Sequence, residues 1–210
     1  MSRIFRFTVL VLFGAVVFAA AQTDPDIATL KAKAASPEFK ARIAALKSRA
    51  ASGDAGAQDA LGWFYQFGVG LPQDYAAAIY WYRKAADQNL PDAQFRLGRL
   101  YDKGDGVPKD YQVAAQWYRR AAEQGDVGAQ YNLSFLFVAG VGIPQDYSEA
   151  YFWATLAAAN TKGASGTLSL ENLTSWRDSV ASNLTKSEIL AVQERARKWS
   201  ENHPPKRAAQ

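Results

Sequence analysis

Three aspartates recur at a spacing of 36 residues, Asp74, Asp110 and Asp146, and seven positions after each stands a tryptophan, Trp81, Trp117 and Trp153. Recurring carboxylates invite an acid/base reading, and recurring tryptophans invite a sugar-platform reading. The first fails on distance, because a retaining glycosidase needs its carboxyls ~5 Å apart, whereas equivalent residues of adjacent packed helices lie ~10 Å apart. An aspartate just before a helix accepts from the free amides of the first turn and complements the helix dipole. That role accounts for all three at once. The tryptophans sit beside alanines at helical spacing and read as core.

Other chemistry is scarce. The chain has no cysteine and one histidine, His203, so it has no disulfide and no clustered Cys/His ligands for a metal. No Gly-x-Ser-x-Gly elbow is present, and no serine has a lysine three residues on, which removes two common serine-nucleophile arrangements. No catalytic residue, metal or cofactor is expected.

The elements behind this spacing are helices. Ala57-Gln58, Ala93-Gln94 and Ala129-Gln130 are followed by Leu61, Leu97 and Leu133, then by Gly62 and Gly98 with Ser134 as the exception, and by Tyr65, Tyr101 and Phe137. A Gly-x-Gly-x-Pro turn comes next, ending at Pro72, Pro108 and Pro144, then the Asp-Tyr pair, the tryptophan, and Ala85-Ala86, Ala121-Ala122 or Ala157-Ala158. Positions 57, 61 and 65 share one side of a helix, as do 75, 78, 81 and 85 of the next, so each unit is an amphipathic hairpin. Hairpins of fixed period bury their apolar faces by stacking, which predicts an all-α, right-handed solenoid.

The string AQFRLGRLYDKGDGVPKDYQVAAQWYRRAAEQGD at 93–126 resembles the Sel-one-like repeat, a relative of the tetratricopeptide repeat. Three units follow as 53–88, 89–124 and 125–160. The third drifts at Ser134, Ala139, Thr155 and Leu156, as happens near a solenoid's end. The resemblance implies protein partners. Some cysteine-rich relatives act on β-lactams, but their disulfide frame is missing here.

Outside the repeats, Arg3 and Arg6 precede an uncharged apolar run to Ala20, and Ala19-Ala20-Ala21 offers a cleavage site, so 1–21 reads as a signal peptide and the protein as periplasmic or secreted from a bacterium. Its removal takes two arginines and no acid from 24 basic and 20 acidic residues, leaving a near-neutral chain with no argument for nucleic acid. Residues 22–36 read as a polar leader. Ser36-Pro37 opens a capping helix over 37–52. A small-residue loop at 161–166 precedes a C-terminal capping helix pair over 167–201. Its first helix aligns Leu170, Leu173, Trp176 and Val180; its second aligns Ile189, Val192, Ala196 and Trp199 and opens on a capping box, Thr185 to Glu188. Residues 202–210 form a tail.

Columns that hold the fold must agree between repeats, and columns that face a partner need not. One face of the first helices reads Ala60, Trp63, Phe67, then Arg96, Arg99, Lys103, then Asn132, Phe135, Ala139. In tetratricopeptide-like solenoids the first helices line the concave surface. Trp63, Phe67, Arg96, Arg99, Lys103, Asn132 and Phe135 are therefore the expected partner-binding residues of a non-enzymatic interaction or scaffolding module of the cell envelope. A cell-wall or β-lactam-acting enzyme and a glycan-binding module are the competing readings.

Overall fold

The computed structural model describes residues 25–160 and 168–203. The expected signal peptide, the loop at 161–166 and the tail beyond 203 lie outside them. Among the described residues the secondary structure is entirely helical: α1 (Pro25–Lys33), α2 (Pro37–Ala51), α3 (Ala55–Phe67), α4 (Tyr75–Asp87), α5 (Pro91–Lys103), α6 (Tyr111–Ala122), α7 (Val127–Ala139), α8 (Tyr147–Ala159), α9 (Leu170–Ala181) and α10 (Lys186–Asn202). Hairpins α3–α4, α5–α6 and α7–α8 stack in series, with α2 packed on α3 and both α9 and α10 on α8. No described helix is long and apolar enough to cross a membrane.

The turns follow the expected chemistry. Asp74, Asp110 and Asp146 accept from the amides of Ala77, Val113 and Glu149 at 3.0, 3.0 and 2.9 Å. Gly68, Gly104 and Gly140 end the first helices in the left-handed region, where a side chain would be strained. Gly106 also has positive φ, and a Cβ there would lie 2.2 Å from Cβ of Tyr75 in the preceding repeat. The tyrosine after each cap thus seats the next repeat's turn. At the N-terminal end Phe39 of α2 takes that place against Gly70, so α2 stands in for the second helix of a missing repeat. Ser36 caps it as expected, accepting from Phe39 N at 3.1 Å.

A buried amide ladder joins the hairpins. Gln58, Gln94 and Gln130 donate back to the carbonyls of Ala50, Ala86 and Ala122 at 3.1, 3.3 and 3.1 Å. Their own oxygens accept from Gln88, Gln124 and Asn160 at 2.8, 2.8 and 3.3 Å. Each glutamine therefore ties its helix to the preceding helix and to the end of its own hairpin, with both ends of the amide satisfied.

The second-helix stripe needs a correction. Its buried positions in the first repeat are 78, 79, 82, 85 and 86, one step round from the expected 75, 78, 81 and 85. Tyr82 and Tyr118 are wholly buried, whereas Trp81 and Trp117 are half-buried at the seam with the preceding helix. The tyrosines win because Gly62 and Gly98 leave a bare patch of backbone for the ring: a Cβ on Gly98 would lie 2.5 Å from Tyr118 Cδ1. In the third repeat the pair is exchanged. Ser134 replaces the glycine, Ala154 replaces the tyrosine, and Trp176 of α9 reaches in to donate from Nε1 to Ser134 Oγ at 2.9 Å.

The C-terminal helices keep Leu173, Trp176, Val180, Val192 and Ala196 buried, but Leu170 is exposed, so the first helix's apolar side begins a turn later than expected. Both halves of the capping box form. His203, expected in the tail, stacks on Trp199 with ring centroids 4.3 Å apart.

Candidate functional site

The residues singled out on the first helices sit on α3, α5 and α7, and the structure groups them unequally. On α3, Trp63 and Phe67 form a tilted pair with centroids 5.0 Å apart, and Trp63 also meets Phe64 edge-on at 5.3 Å. These are i, i+4 neighbours, so the helix itself brings the rings together. Both are half-buried.

The three cations of α5 have separate surroundings. Arg96 Nε donates to Asp59 Oδ1 of α3 at 3.1 Å, and its guanidinium lies 6.0 Å from the Tyr82 ring. Arg96 is therefore an inter-repeat tie. Burial pushes the Asp59 carboxyl up, and Arg96 pulls it back only in part. Arg99 lies over the Phe95 ring at 5.8 Å. Lys103 is held below the usual ammonium range, first by burial and then by the Arg99 charge. Arg99 and Lys103, again i and i+4, make the positive end of this face.

On α7 the face closes. Asn132 is half-buried, and Phe135 packs against Trp176 of α9 with centroids 5.9 Å apart. Trp63 and Phe135 are accordingly not a pair of exposed coplanar platforms, the arrangement a glycan-binding groove would have.

Several residues of this region were missed by the sequence reading. A cavity of about 450 Å³ opens between the starts of α5 and α7, lined by Asp92, Phe95, Arg96, Asp126, Val127, Gly128, Asn160 and Leu168. Asp126 caps α7, accepting from Ala129 N at 2.6 Å. Burial pushes its carboxyl up to about 6, with Asp92 adding to the rise and the Ala129 amide and Arg96 opposing it. The Asp54 cap of α3 is the equivalent group, and its carboxyl is lowered instead, by the Ala57 amide and then Arg49. Matching Asp54 with Asp126 in the "GD" strings could have identified both as caps; nothing local could have shown that their carboxyls are shifted in opposite directions. Asp102, also pushed up by burial, accepts from Tyr118 Oη at 3.0 Å where the first repeat has Gln66 accepting from Tyr82 Oη at 2.8 Å.

The comparisons agree with this geometry. The Sel1 repeat model matches residues 55–90, 91–126 and 127–161. Among solved structures, the chain is similar to c5321, a protective antigen of uropathogenic Escherichia coli strains with an SLR fold, at 33% identity and a TM-score of 0.68, over 80% of this chain and 36% of that one. It is also similar to a Sel1 repeat protein of Oxalobacter formigenes, at 39% identity and a TM-score of 0.56, over 65% of this chain and 98% of that one. The chain thus spans about a third of the length of the Escherichia coli antigen. No curated protein matches significantly. Three successive repeat matches in register with the three hairpins, together with these neighbours, establish that the chain belongs to the Sel1 repeat family.

Proposed function

We propose that the protein is a non-enzymatic interaction module of a bacterial envelope that binds a protein partner along the first-helix face, after export and cleavage near Ala21. Sel1 repeats are generally protein-interaction modules. The observations that carry the finer reading are the Trp63–Phe67 pair on α3 and the Arg99–Lys103 pair on α5, on two helices that Arg96 and Asp59 tie together. Aromatic and arginine side chains, partly desolvated, are the residue types that dominate binding energy in protein interfaces. A segment with an apolar anchor and a following carboxylate suits them. Asn132 and Phe135 belong to the far end of the same face, where α9 narrows the access.

The test is photo-crosslinking from position 67 in the producing cell, with and without Arg99→Glu plus Lys103→Glu. The double variant should fold normally and lose the captured protein, and added salt should weaken capture by the wild type. Undiminished capture by the double variant would refute the reading. Arg96 is left intact, because reversing it would set a carboxylate against Asp59. The export half is tested by N-terminal sequencing of the exported protein, which should begin at Gln22.

A further inference from the structure

The chain docks one of its own helices on an aromatic pair that it also carries, half-open, two repeats earlier. On α8, Phe152 and Trp153 form an edge-to-face pair with centroids 5.0 Å apart and an interplanar angle of 77°. Helix α10 lies over them: Trp199 meets both rings, at 6.5 and 6.4 Å, and Arg195 sits 3.8 Å from the Phe152 centroid while pairing with Glu149 at 2.6 Å. The result is that Phe152 is 3% and Trp153 5% exposed.

Seventy-two residues earlier in register, Tyr80 and Trp81 on α4 repeat the arrangement, with centroids 5.0 Å apart and an angle of 79°. No described helix packs on α4 as α10 packs on α8: Trp81 is half-buried at the seam with α2, and Tyr80 is 52% exposed. The surroundings differ in charge. Glu149, the partner of Arg195, is replaced by Ala77, and Thr155-Leu156 by Arg83-Lys84, with Lys84 Nζ 5.3 Å from the Tyr80 centroid. One turn on, Asp87 is the nearest acidic residue in sequence.

We propose that Tyr80, Trp81 and Lys84 form a second docking surface, apart from the first-helix face, for an amphipathic α-helix of a partner protein. The occupant is a helix because α10 demonstrates, on this same repeat column, that a helix seats one aromatic knob against the edge-to-face pair. It carries a carboxylate where α10 carries Arg195, because Glu149 is Ala77 here and Lys84 already holds a cation against the Tyr80 ring, as Arg195 does against Phe152, while Arg83 donates to Tyr101 Oη of α5. A charge of the wrong sign at that position works against binding, so the polarity selects the partner helix against the chain's own.

The probe is a fluorescein-labelled peptide of residues 184–203 of this chain with Arg195→Glu, titrated by anisotropy against the full chain. Saturable binding is expected, weakened about tenfold or more by Tyr80→Ser, as for an aromatic anchor at an interface centre. Lys84→Glu should weaken this peptide and strengthen the unmodified one. Tyr80→Ser should leave the urea midpoint nearly unchanged, since about half of the residue stands in solvent. The proposal is overturned by no saturable binding up to ~1 mM peptide, or by binding indifferent to Tyr80→Ser. It is equally overturned if Tyr80→Ser abolishes self-association of the full chain, which would assign the surface to a second copy. Displacement of the peptide by neutral oligosaccharides, making the pair a sugar platform, would overturn it too.

Discussion

Gly98→Ala gives the sharpest test of how the hairpins are held. The new methyl would lie 2.5 and 2.6 Å from Cδ1 and Cε1 of Tyr118, a ring that is wholly buried and hydrogen-bonded through its hydroxyl to Asp102. The ring has no room to withdraw, so α5 and α6 must separate or the tyrosine must leave its rotamer. Such overpacking typically costs about 1 to 3 kcal/mol and occasionally more, and a contact this short belongs at the upper end, about 2 to 4, against which alanine's helix preference over glycine returns about 1. The net loss should be about 1 to 3 kcal/mol. In a Tyr118→Ala background, itself destabilised by about 3 to 5 kcal/mol, the clash is gone and the same glycine substitution should stabilise by about 1. The coupling between the two sites is then about 2 to 4 kcal/mol, within reach of a double-mutant cycle by urea denaturation with unchanged m-values. The third repeat supports the sign, because there Ser134 and Ala154 occupy the same two columns together. Effects that add to within 0.5 kcal/mol would refute the argument.

Asp110→Ala should lower stability by about 1 kcal/mol through loss of the cap on Val113 N, read from the urea midpoint. Trp176→Phe removes the donor to Ser134 Oγ and should cost about 1 kcal/mol, seen as earlier thermal melting. Asp126 has its folded carboxyl raised from 3.8 to about 6, so the native state binds its proton more tightly than the unfolded chain, and its ionisation works against folding as pH rises through that window. Asp126→Asn, which keeps a capping oxygen, should therefore gain stability relative to wild type between pH 4 and about 6, with the gain level above ~7. A stability difference that does not change with pH would mean the carboxyl is not perturbed. Trp117→Ala should cost about 2 kcal/mol, less than loss of a wholly buried aromatic, because the indole lies half-buried at a seam.

The repeat, its helices and its turns were legible in the chain because each is set by local physics. Asp74 must cap whatever helix follows it, Gly68 must take the left-handed bend, and alanines one turn apart must share a side. The family likeness follows from the same columns. What stayed hidden turns on neighbours distant in sequence. Positions 81 and 82 are both large aromatics at helical spacing from Ala78 and Ala85, and no periodicity separates them; Gly62, twenty residues away, decides for Tyr82 by leaving its backbone bare. Arg96 and Arg99 look alike on one face, yet Asp59 on the previous hairpin takes only the first. Trp81 and Trp153 stand in the same column with an aromatic before each, Tyr80 and Phe152, and only the return of α10 buries one and leaves the other half open. Burial and pairing depend on how whole hairpins stack, a sum over contacts between segments that local spacing does not contain.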